Sequence, residues 1–261
     1  MYMNWLESII LGIIQGLTEF LPVSSSGHLE IAKALFGVDA ESSFYFTVAV
    51  HGATVLSTIV VFWKEIVSLF KGFIKFRMND ETSYIFKILI SMIPVGFVGL
   101  LLKDRVEALF NGNLIFVGSM LIITAALLAL AHFIKKRERS IGYLDALIIG
   151  IAQAVAVIPG ISRSGATIAT GLMIGNRKDE IARFSFLMVL IPVIGANLLE
   201  IVSADSGATG NGLVTIIIGA IAAFISGYLA CRWMIGLVRK SKLIGFAAYC
   251  AAAGLLSILL G

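Results

Sequence analysis

The chain carries a similar polar segment twice within strongly apolar sequence. The first copy, residues 15–28, reads QGLTEFLPVSSSGH, and the second, residues 153–166, reads QAVAVIPGISRSGA. Ionisable and hydroxyl-bearing side chains are costly in a bilayer and usually mark a functional site there. A constant offset of 138 residues aligns Glu7 with Asp145, Gly12 with Gly150, Gln15 with Gln153, Ser24 with Ser162, Ser26 with Ser164 and Gly27 with Gly165. The repeat predicts two similar halves, 1–138 and 139–261, that share one polar site.

Composition identifies the class of protein. Hydrophobic residues make up 59% of the chain and charged residues only 14%, and the mean hydropathy is +0.98. A soluble domain of this length needs far more charge to cover its surface. We therefore predict an all-α integral membrane protein that spans the membrane several times as a single transmembrane domain. The net charge of +4 comes from short basic loops, so no nucleic-acid partner is expected.

Loop charges predict the topology. Lys and Arg are concentrated between the first and second spans (Lys64 to Lys87), around 135–139, around 177–183 and around 232–242, whereas 37–43 and 203–212 contain none and 103–112 only two. Loops rich in Lys and Arg lie in the cytoplasm. The cysteines Cys231 and Cys250 fall in predicted spans and are expected to be reduced thiols. Six segments have the length and composition of full spans: about 44–63, 85–102, 113–134, 184–202, 213–231 and 243–260.

Both polar segments are predicted to be re-entrant helical hairpins. The second, with arms at about 142–158 and 164–174, has basic residues on both flanks, so it must enter and leave on the cytoplasmic side. Its short arm of about 11 residues covers only about half the hydrocarbon core. By the repeat, the hairpin with arms at about 5–23 and 28–36 enters from outside. Each half is then one hairpin plus three spans, which makes the fold an inverted-topology repeat with its site near the midplane.

The serine-rich turn in each hairpin leads into a short helix, whose free N–H groups and dipole attract anions. Arg163 lies in the second turn, and its planar guanidinium suits a phosphate. With Ser162, Ser164, Gly165 and Thr167, and with Gln153 on the preceding arm, it is predicted to clamp phosphate. The alternative is an arginine that extends to the cytoplasmic surface.

The first turn combines groups that catalysis requires. Glu19 and Gln15 lie on one face of the first arm. The Glu19 carboxylate is predicted to accept a proton, hold a divalent cation or pair with Arg163; the alternative is a purely structural ion pair. Ser24, Ser25, Ser26, Gly27 and His28 follow. A hydroxyl beside an imidazole and a carboxylate provides a nucleophile, a proton acceptor and an orienting group.

Two motifs, EFLPVSSSGH at 19–28 and PGISRSGAT at 159–167, resemble the signature motifs of the bacterial undecaprenyl-diphosphate phosphatases, also called bacitracin resistance proteins. The resemblance extends over essentially the whole chain. It implies a multi-pass enzyme of the bacterial plasma (inner) membrane that hydrolyses undecaprenyl diphosphate to undecaprenyl phosphate and inorganic phosphate. That reaction recycles the lipid carrier for peptidoglycan synthesis and confers bacitracin resistance.

The resemblance also implies roles for residues. It assigns the acidic motif to Gln15 and Glu19, the Ser/His motif to Ser25, Gly27 and His28, and phosphate binding to Arg163. The family usually has two glutamates in the acidic motif, and here the first is Gln15. An amide neither acts as a base nor supplies an anionic metal ligand, so those roles are either dispensable or fall to Glu19 alone. Gln15 is still expected to hydrogen-bond substrate or a metal-bound water.

The expected mechanism relies on charge neutralisation at the phosphates. The catalytic residues are Glu19, His28, Ser25 and Arg163, with a divalent cation (Mg²⁺ or Ca²⁺) held partly by Glu19. The nucleophile is Ser25, His28 or a water activated by His28.

The partners are an isoprenyl diphosphate and membrane lipid, and a homodimer is compatible with the sequence. The alternative function is a lipid-phosphate transporter, since inverted repeats with half-helices are a transporter architecture; an ion channel fits less well because the polar positions cluster at one depth.

Overall fold

A computed structural model describes residues 3–38, 44–110, 112–134, 138–203, 212–239 and 243–261. All its regular elements in these ranges are helices. The predicted loop charges at Lys135, Lys136, Arg137, Lys240 and Lys242, and much of the loops 37–43 and 203–212, lie outside the described residues. The helices are α1 Trp5–Phe20, α2 Ser25–Phe36, α3 Phe44–Val61, α4 Trp63–Phe73, α5 Asp80–Leu101, α6 Lys103–Glu107, α7 Leu114–Phe133, α8 Tyr143–Val155, α9 Arg163–Met173, α10 Lys178–Met188, α11 Leu190–Ser203, α12 Leu213–Arg239 and α13 Ile244–Leu260.

All six predicted spans fall on helices, although several bounds differ. Among the described residues, four helical segments are long and apolar enough to cross a membrane: Asp80–Leu101, Leu114–Phe133, Lys178–Leu199 and Leu213–Val238. Helices α3 and α4 bend by 73° at their junction and make a fifth if they are one span, while α13 is a shorter apolar helix. The span predicted from 85 begins at Asp80 because Asn79 caps the helix by accepting a hydrogen bond from the Thr82 N–H at 2.8 Å.

Side chains at helix starts define both predicted hairpins. Asn4 caps α1 and accepts hydrogen bonds from the N–H groups of Leu6 and Glu7, both at 2.9 Å. The carboxylate of Glu7 accepts the Asn4 N–H in return, at 2.9 Å. At the equivalent point of α8, Asp145 accepts the Gly142 N–H at 2.9 Å. The four arms thus form as α1, α2, α8 and α9, with bounds within a few residues of those predicted.

Each first arm packs along one long helix through a glycine. A Cβ atom on Gly12 would lie 2.3 Å from the Gly219 carbonyl oxygen of α12, and one on Gly150 would lie 2.3 Å from the Ser91 carbonyl oxygen of α5. Real Cβ contacts are never so short, so the α1–α12 and α8–α5 crossings require glycine. Helices α7 and α13 also cross closely, with Gly118 and Gly254 facing each other. These crossings bring the ends of α1 and α8 toward the same interior region.

Candidate active site

The two serine turns have the same local geometry. Ser24 caps α2 and its Oγ accepts the Gly27 N–H at 3.2 Å, while Ser162 caps α9 and its Oγ accepts the Gly165 N–H at 3.0 Å. Ser24 has a φ of 70°, a left-handed conformation that is uncommon for a residue with a side chain. Both serines are almost completely buried. In the described residues, the N–H groups of residues 25, 26, 163 and 164 have no hydrogen-bond partner, so they are free to bind an anion.

The two turns touch each other. Ser164 donates its hydroxyl to the Leu21 carbonyl at 3.2 Å. A Cβ atom on Gly27 would lie 3.2 Å from Gly160 Cα, and one on Gly165 would lie 3.3 Å from Pro22 Cβ. Larger residues at either glycine would therefore push the turns apart. The predicted meeting of the two polar segments is present in the structure.

Glu19 is the centre of the site. One of its oxygens, Oε1, forms an ion pair with Arg163 Nη2. The other, Oε2, accepts hydrogen bonds from Ser25 Oγ at 2.7 Å and from Gln15 Nε2 at 3.0 Å. The Glu19 side chain is 9% exposed and that of Arg163 is 27% exposed. Arg163 therefore points inward to the opposite turn and does not extend to the surface.

His28 points away from this centre. Its Nδ1 lies 2.8 Å from the Ser24 carbonyl oxygen, which can only accept, so Nδ1 carries the proton. Its Nε2 then accepts from the Tyr249 hydroxyl at 2.8 Å, and the two rings stack with centroids 5.5 Å apart. In the described part of the chain His28 forms no hydrogen bond with Ser25 or Glu19. The predicted cluster thus divides into a Ser25–Glu19 pair and a His28–Tyr249 pair.

The other predicted residues line or support the two turns. Ser26 Oγ lies 3.3 Å from Ser24 Oγ, and Ser164 Oγ lies 3.4 Å from Ser162 Oγ. Thr167 faces α10, where its hydroxyl lies 2.6 Å from Ser185 Oγ. It therefore supports α9 and does not join the Glu19 centre.

Gln15 and Gln153 are both buried. Gln15 has a partner for its amide nitrogen only, and neither polar atom of the Gln153 side chain has a hydrogen-bond partner among the described residues. Buried polar atoms of this kind are costly unless water or a ligand satisfies them. The offset of 138 explains the difference, because the position equivalent to Glu19 is Val157.

A pocket of about 380 Å³, including its open mouth, lies over Glu19 and Arg163. Its polar floor continues into hydroxyl groups of α3, α9 and α10, and its opposite wall on α11 is apolar. The lining residues are Glu19, Phe20, Thr54, Val55, Thr58, Arg163, Ser164, Ser185, Phe186, Val189, Leu190 and Val193. A pocket with one charged end and one apolar wall fits an amphipathic molecule with an anionic head.

The oxygen atoms around Glu19 include donors of the kind that a divalent cation prefers. In the ranges that the structure describes, no group of three or more His, Cys, Asp or Glu side chains is placed to hold a metal. Glu19 and the buried, unpaired Oε1 of Gln15 are hard oxygen donors. Mg²⁺ is often held by one or two protein oxygens and completes its coordination with substrate phosphates and water. The residues fit a cation that binds together with a phosphate substrate.

Several residues of this region were not predicted from the sequence. Thr124 on α7 accepts the Ser162 N–H at 3.0 Å and donates to the Gly160 carbonyl at 3.1 Å, so it holds the second turn in place. Tyr249 and Ser185 contact predicted site residues from α13 and α10. His51 on α3 lies close enough to interact electrostatically with Glu19. Only the spacing of His51 with Thr47, Thr54 and Thr58 on one helix face could have indicated such a role.

Comparison with known proteins gives a consistent result. Residues 8–256 match the family described as bacitracin resistance protein BacA. A protein of Parabacteroides distasonis named undecaprenyl-diphosphatase is 55% identical over 98% of each chain. A protein of the same name from Bacteroides thetaiotaomicron is 56% identical over 98% of this chain and 99% of the relative. A more distant one from Methanosphaera stadtmanae is 37% identical over 98% and 97%.

Proposed function

The chain belongs to the bacitracin resistance protein BacA family, and we infer that it is an undecaprenyl-diphosphatase. It is a multi-pass protein of the bacterial inner membrane that converts undecaprenyl diphosphate to undecaprenyl phosphate and inorganic phosphate. The reaction recycles the lipid carrier for peptidoglycan synthesis and confers bacitracin resistance.

The observation that carries the mechanism is the hydrogen bond of 2.7 Å from Ser25 Oγ to Glu19 Oε2. A serine hydroxyl beside a buried carboxylate is a nucleophile with its proton acceptor in place. Ser25 Oγ attacks the terminal phosphorus, its proton moves to Glu19, and the bridging P–O bond breaks to release undecaprenyl phosphate. Water then attacks the phosphoserine, Glu19 returns its proton to the serine oxygen as the Oγ–P bond breaks, and inorganic phosphate leaves with both hydrogens of the water. The contacts of His28 with Ser24 and Tyr249 favour a positioning role for the imidazole.

Charge stabilisation supplies most of the catalysis in this scheme. A phosphoryl-transfer transition state spreads negative charge over oxygens, so fixed donors around it lower the barrier. Arg163 and the free N–H groups at the starts of α2 and α9 are such donors. Substrate phosphate competes with Glu19 for Arg163, which frees the carboxylate to accept the serine proton.

Glu19 and Gln15 would hold a divalent cation, which would neutralise phosphate charge when bound. The protein's own contribution is to hold these oxygens below the turns and to exclude bulk water from the pocket floor. The apolar side of the pocket, at Val189, Leu190 and Val193, lets the isoprenoid tail extend toward lipid.

We also propose that each half contains a re-entrant hairpin and that the halves are related by inverted topology. Contacts at the hairpin ends support this. Asp145 at the start of α8 accepts a hydrogen bond from Asn176, just after α9, at 3.1 Å, and pairs with Arg139 at 2.6 Å. In the first half, Met3 belongs to the same hydrophobic cluster as Ala32 and Phe36 in the last turns of α2. Each hairpin thus begins and ends at one place, and the caps and glycine crossings match at the offset of 138.

Phosphate release by the purified protein in detergent tests the function. The unaltered protein should release phosphate from undecaprenyl diphosphate, and Ser25→Ala, Glu19→Gln and Arg163→Ala should each abolish release. Ser119→Ala is the matched control, since this serine lies on α7 and donates only to its own helix. Transport of lipid phosphate needs two compartments and no Ser25–Glu19 pair, so absence of release in detergent would favour the transporter.

A further inference from the structure

A polar stripe runs along α3 from the pocket to one end of the helix. Thr47, His51, Thr54 and Thr58 are spaced by four, three and four residues, so they share one helix face. Thr54 and Thr58 line the pocket over Glu19. The stripe extends over about 16 Å at 1.5 Å per residue. The hydroxyls of Thr54 and Thr58 donate to the carbonyls of His51 and Thr54 in their own helix, so their oxygens can still accept a hydrogen bond from a ligand or water in the pocket.

The contacts of the stripe connect it to basic groups. Lys33, in the last turn of α2, donates from Nζ to Thr47 Oγ1 at 3.1 Å. His51 Nδ1 lies 2.9 Å from the Thr47 carbonyl oxygen and so donates to it. His51 in turn interacts electrostatically with Glu19, which pairs with Arg163. Lys33, His51 and Arg163 therefore form a continuous series from the end of α3 to the catalytic centre.

Glu30 and Asn197 are the polar neighbours of this series of basic residues. Glu30 lies within electrostatic range of Lys33 but forms no ion pair with it, so no carboxylate among the described residues neutralises the Lys33 ammonium by direct contact. Across the stripe, a Cβ atom on Gly52 would lie 3.9 Å from the amide nitrogen of Asn197 on α11. Near Gly52, α3 and α11 therefore both present polar groups, whereas the part of α11 that lines the pocket is apolar.

We propose that the stripe with Lys33 at its end is the exit route and a transient binding site for the inorganic phosphate product. This inference rests on the proposed function. The two products differ in chemistry: undecaprenyl phosphate leaves sideways into lipid along the apolar wall, but free phosphate carries its charge through a hydrated, basic route. The route opens at the end of α3 opposite α4, because Thr47 lies near the start of α3 and α4 follows its last residue.

Product inhibition separates this site from the headgroup site. Inhibition constants are measured in detergent for orthophosphate and for farnesyl phosphate, a short isoprenyl monophosphate. Lys33→Gln should raise the orthophosphate constant about tenfold, the usual effect of losing one charge-assisted hydrogen bond, and change the farnesyl phosphate constant by less than about twofold. Lys33→Arg should restore orthophosphate inhibition. Lys64→Gln, at the start of α4 just beyond the other end of α3, is the matched control and should change neither constant.

An unchanged orthophosphate constant in Lys33→Gln, or an equal rise in both constants, would overturn the proposal. A second measurement does not depend on turnover: in Thr47→Cys, orthophosphate should slow labelling by an anionic methanethiosulfonate, and in Lys64→Cys, at the exposed start of α4, it should not. The native cysteines Cys231 and Cys250 are buried and will not compete. Lack of protection overturns the exit route alone, whereas lack of phosphate release by the unaltered protein overturns the proposed function.

Discussion

Replacing Arg163 by methionine should destabilise the protein, and removing the charge of Glu19 as well should restore part of the loss. The two side chains form an ion pair across the two turns, and the Glu19 carboxylate is buried. In Arg163→Met the carboxylate keeps its hydrogen bonds from Ser25 and Gln15 but loses the only cation in direct contact with it in the described structure. The free-energy cost comes from the buried charge that is left without a partner, and much less from losing the attraction between the two charges.

The magnitude follows from burial. Breaking a buried pair by removing one partner costs about 3–5 kcal/mol. Arg163 is 27% exposed and two donors remain on Glu19, so the lower end, about 3 kcal/mol, applies to Arg163→Met. Glu19→Gln leaves a guanidinium that reaches water in part and should cost about 1–2 kcal/mol. The double variant leaves neither charge unpaired and should cost about 2 kcal/mol, which gives a coupling energy of about 2–3 kcal/mol.

The assay combines unfolding of the detergent-purified protein, followed by tryptophan fluorescence, with phosphate release. The double variant should regain stability and remain inactive, because catalysis needs both groups. Lys103→Met is the control: Lys103 pairs with Glu107 at 3.5 Å on an exposed surface, where ion pairs contribute about 0–1 kcal/mol. If the double variant loses the sum of the two single losses, Glu19 and Arg163 are not coupled and the reasoning fails.

Three further predictions concern a helix crossing, a single hydroxyl group and the divalent cation. Gly150→Ala places a methyl group against the Ser91 carbonyl and should lower stability by about 1–3 kcal/mol in the same unfolding assay. Gly99→Ala, with open space around it, is the control and should not lower stability. Equal effects of the two substitutions would refute the tight crossing. Thr124→Val removes the hydroxyl that holds the second turn. It should lower stability by about 1–3 kcal/mol and should also lower turnover, whereas Thr124→Ser should keep both. A fully active valine variant would contradict this role. Chelation of divalent cations should stop phosphate release without lowering the unfolding midpoint, and added Mg²⁺ or Ca²⁺ should restore it; undiminished release in excess chelator would exclude the cation.

Local sequence features sufficed for the helices and for part of the site. Apolar length located the spans, and the serine-rich turns predicted that a short helix follows each of them, although α2 begins at Ser25 and not at about 28. The approach of Arg163 to Glu19 could be predicted because two charges in apolar surroundings are stable only together. Helix α4 was missed because its charged segment was assigned to a loop, and the break between α10 and α11 was missed because an apolar run continues through it.

The direction of side chains within the site could not be predicted. Ser25 and His28 both lie in the first turn of α2, so the sequence placed them equally near Glu19. Which one faces the carboxylate is decided by Tyr249, 221 residues away from His28, which binds the imidazole from α13. The part played by Thr124 likewise depends on how α7 packs against the second turn, a contact that no local pattern encodes.

The central claim is that Ser25, activated by Glu19, attacks a phosphate held between the two turns, and trapping the phosphoryl group tests it most directly. Undecaprenyl diphosphate labelled in its terminal phosphate is mixed with the protein, and samples quenched in acid and in alkali during the first turnover are analysed by mass spectrometry. We predict label on Ser25 that survives acid, persists in His28→Ala and is absent in Ser25→Ala. Label on His28, or cleavage in the first turnover with Ser25 never labelled, would contradict the account.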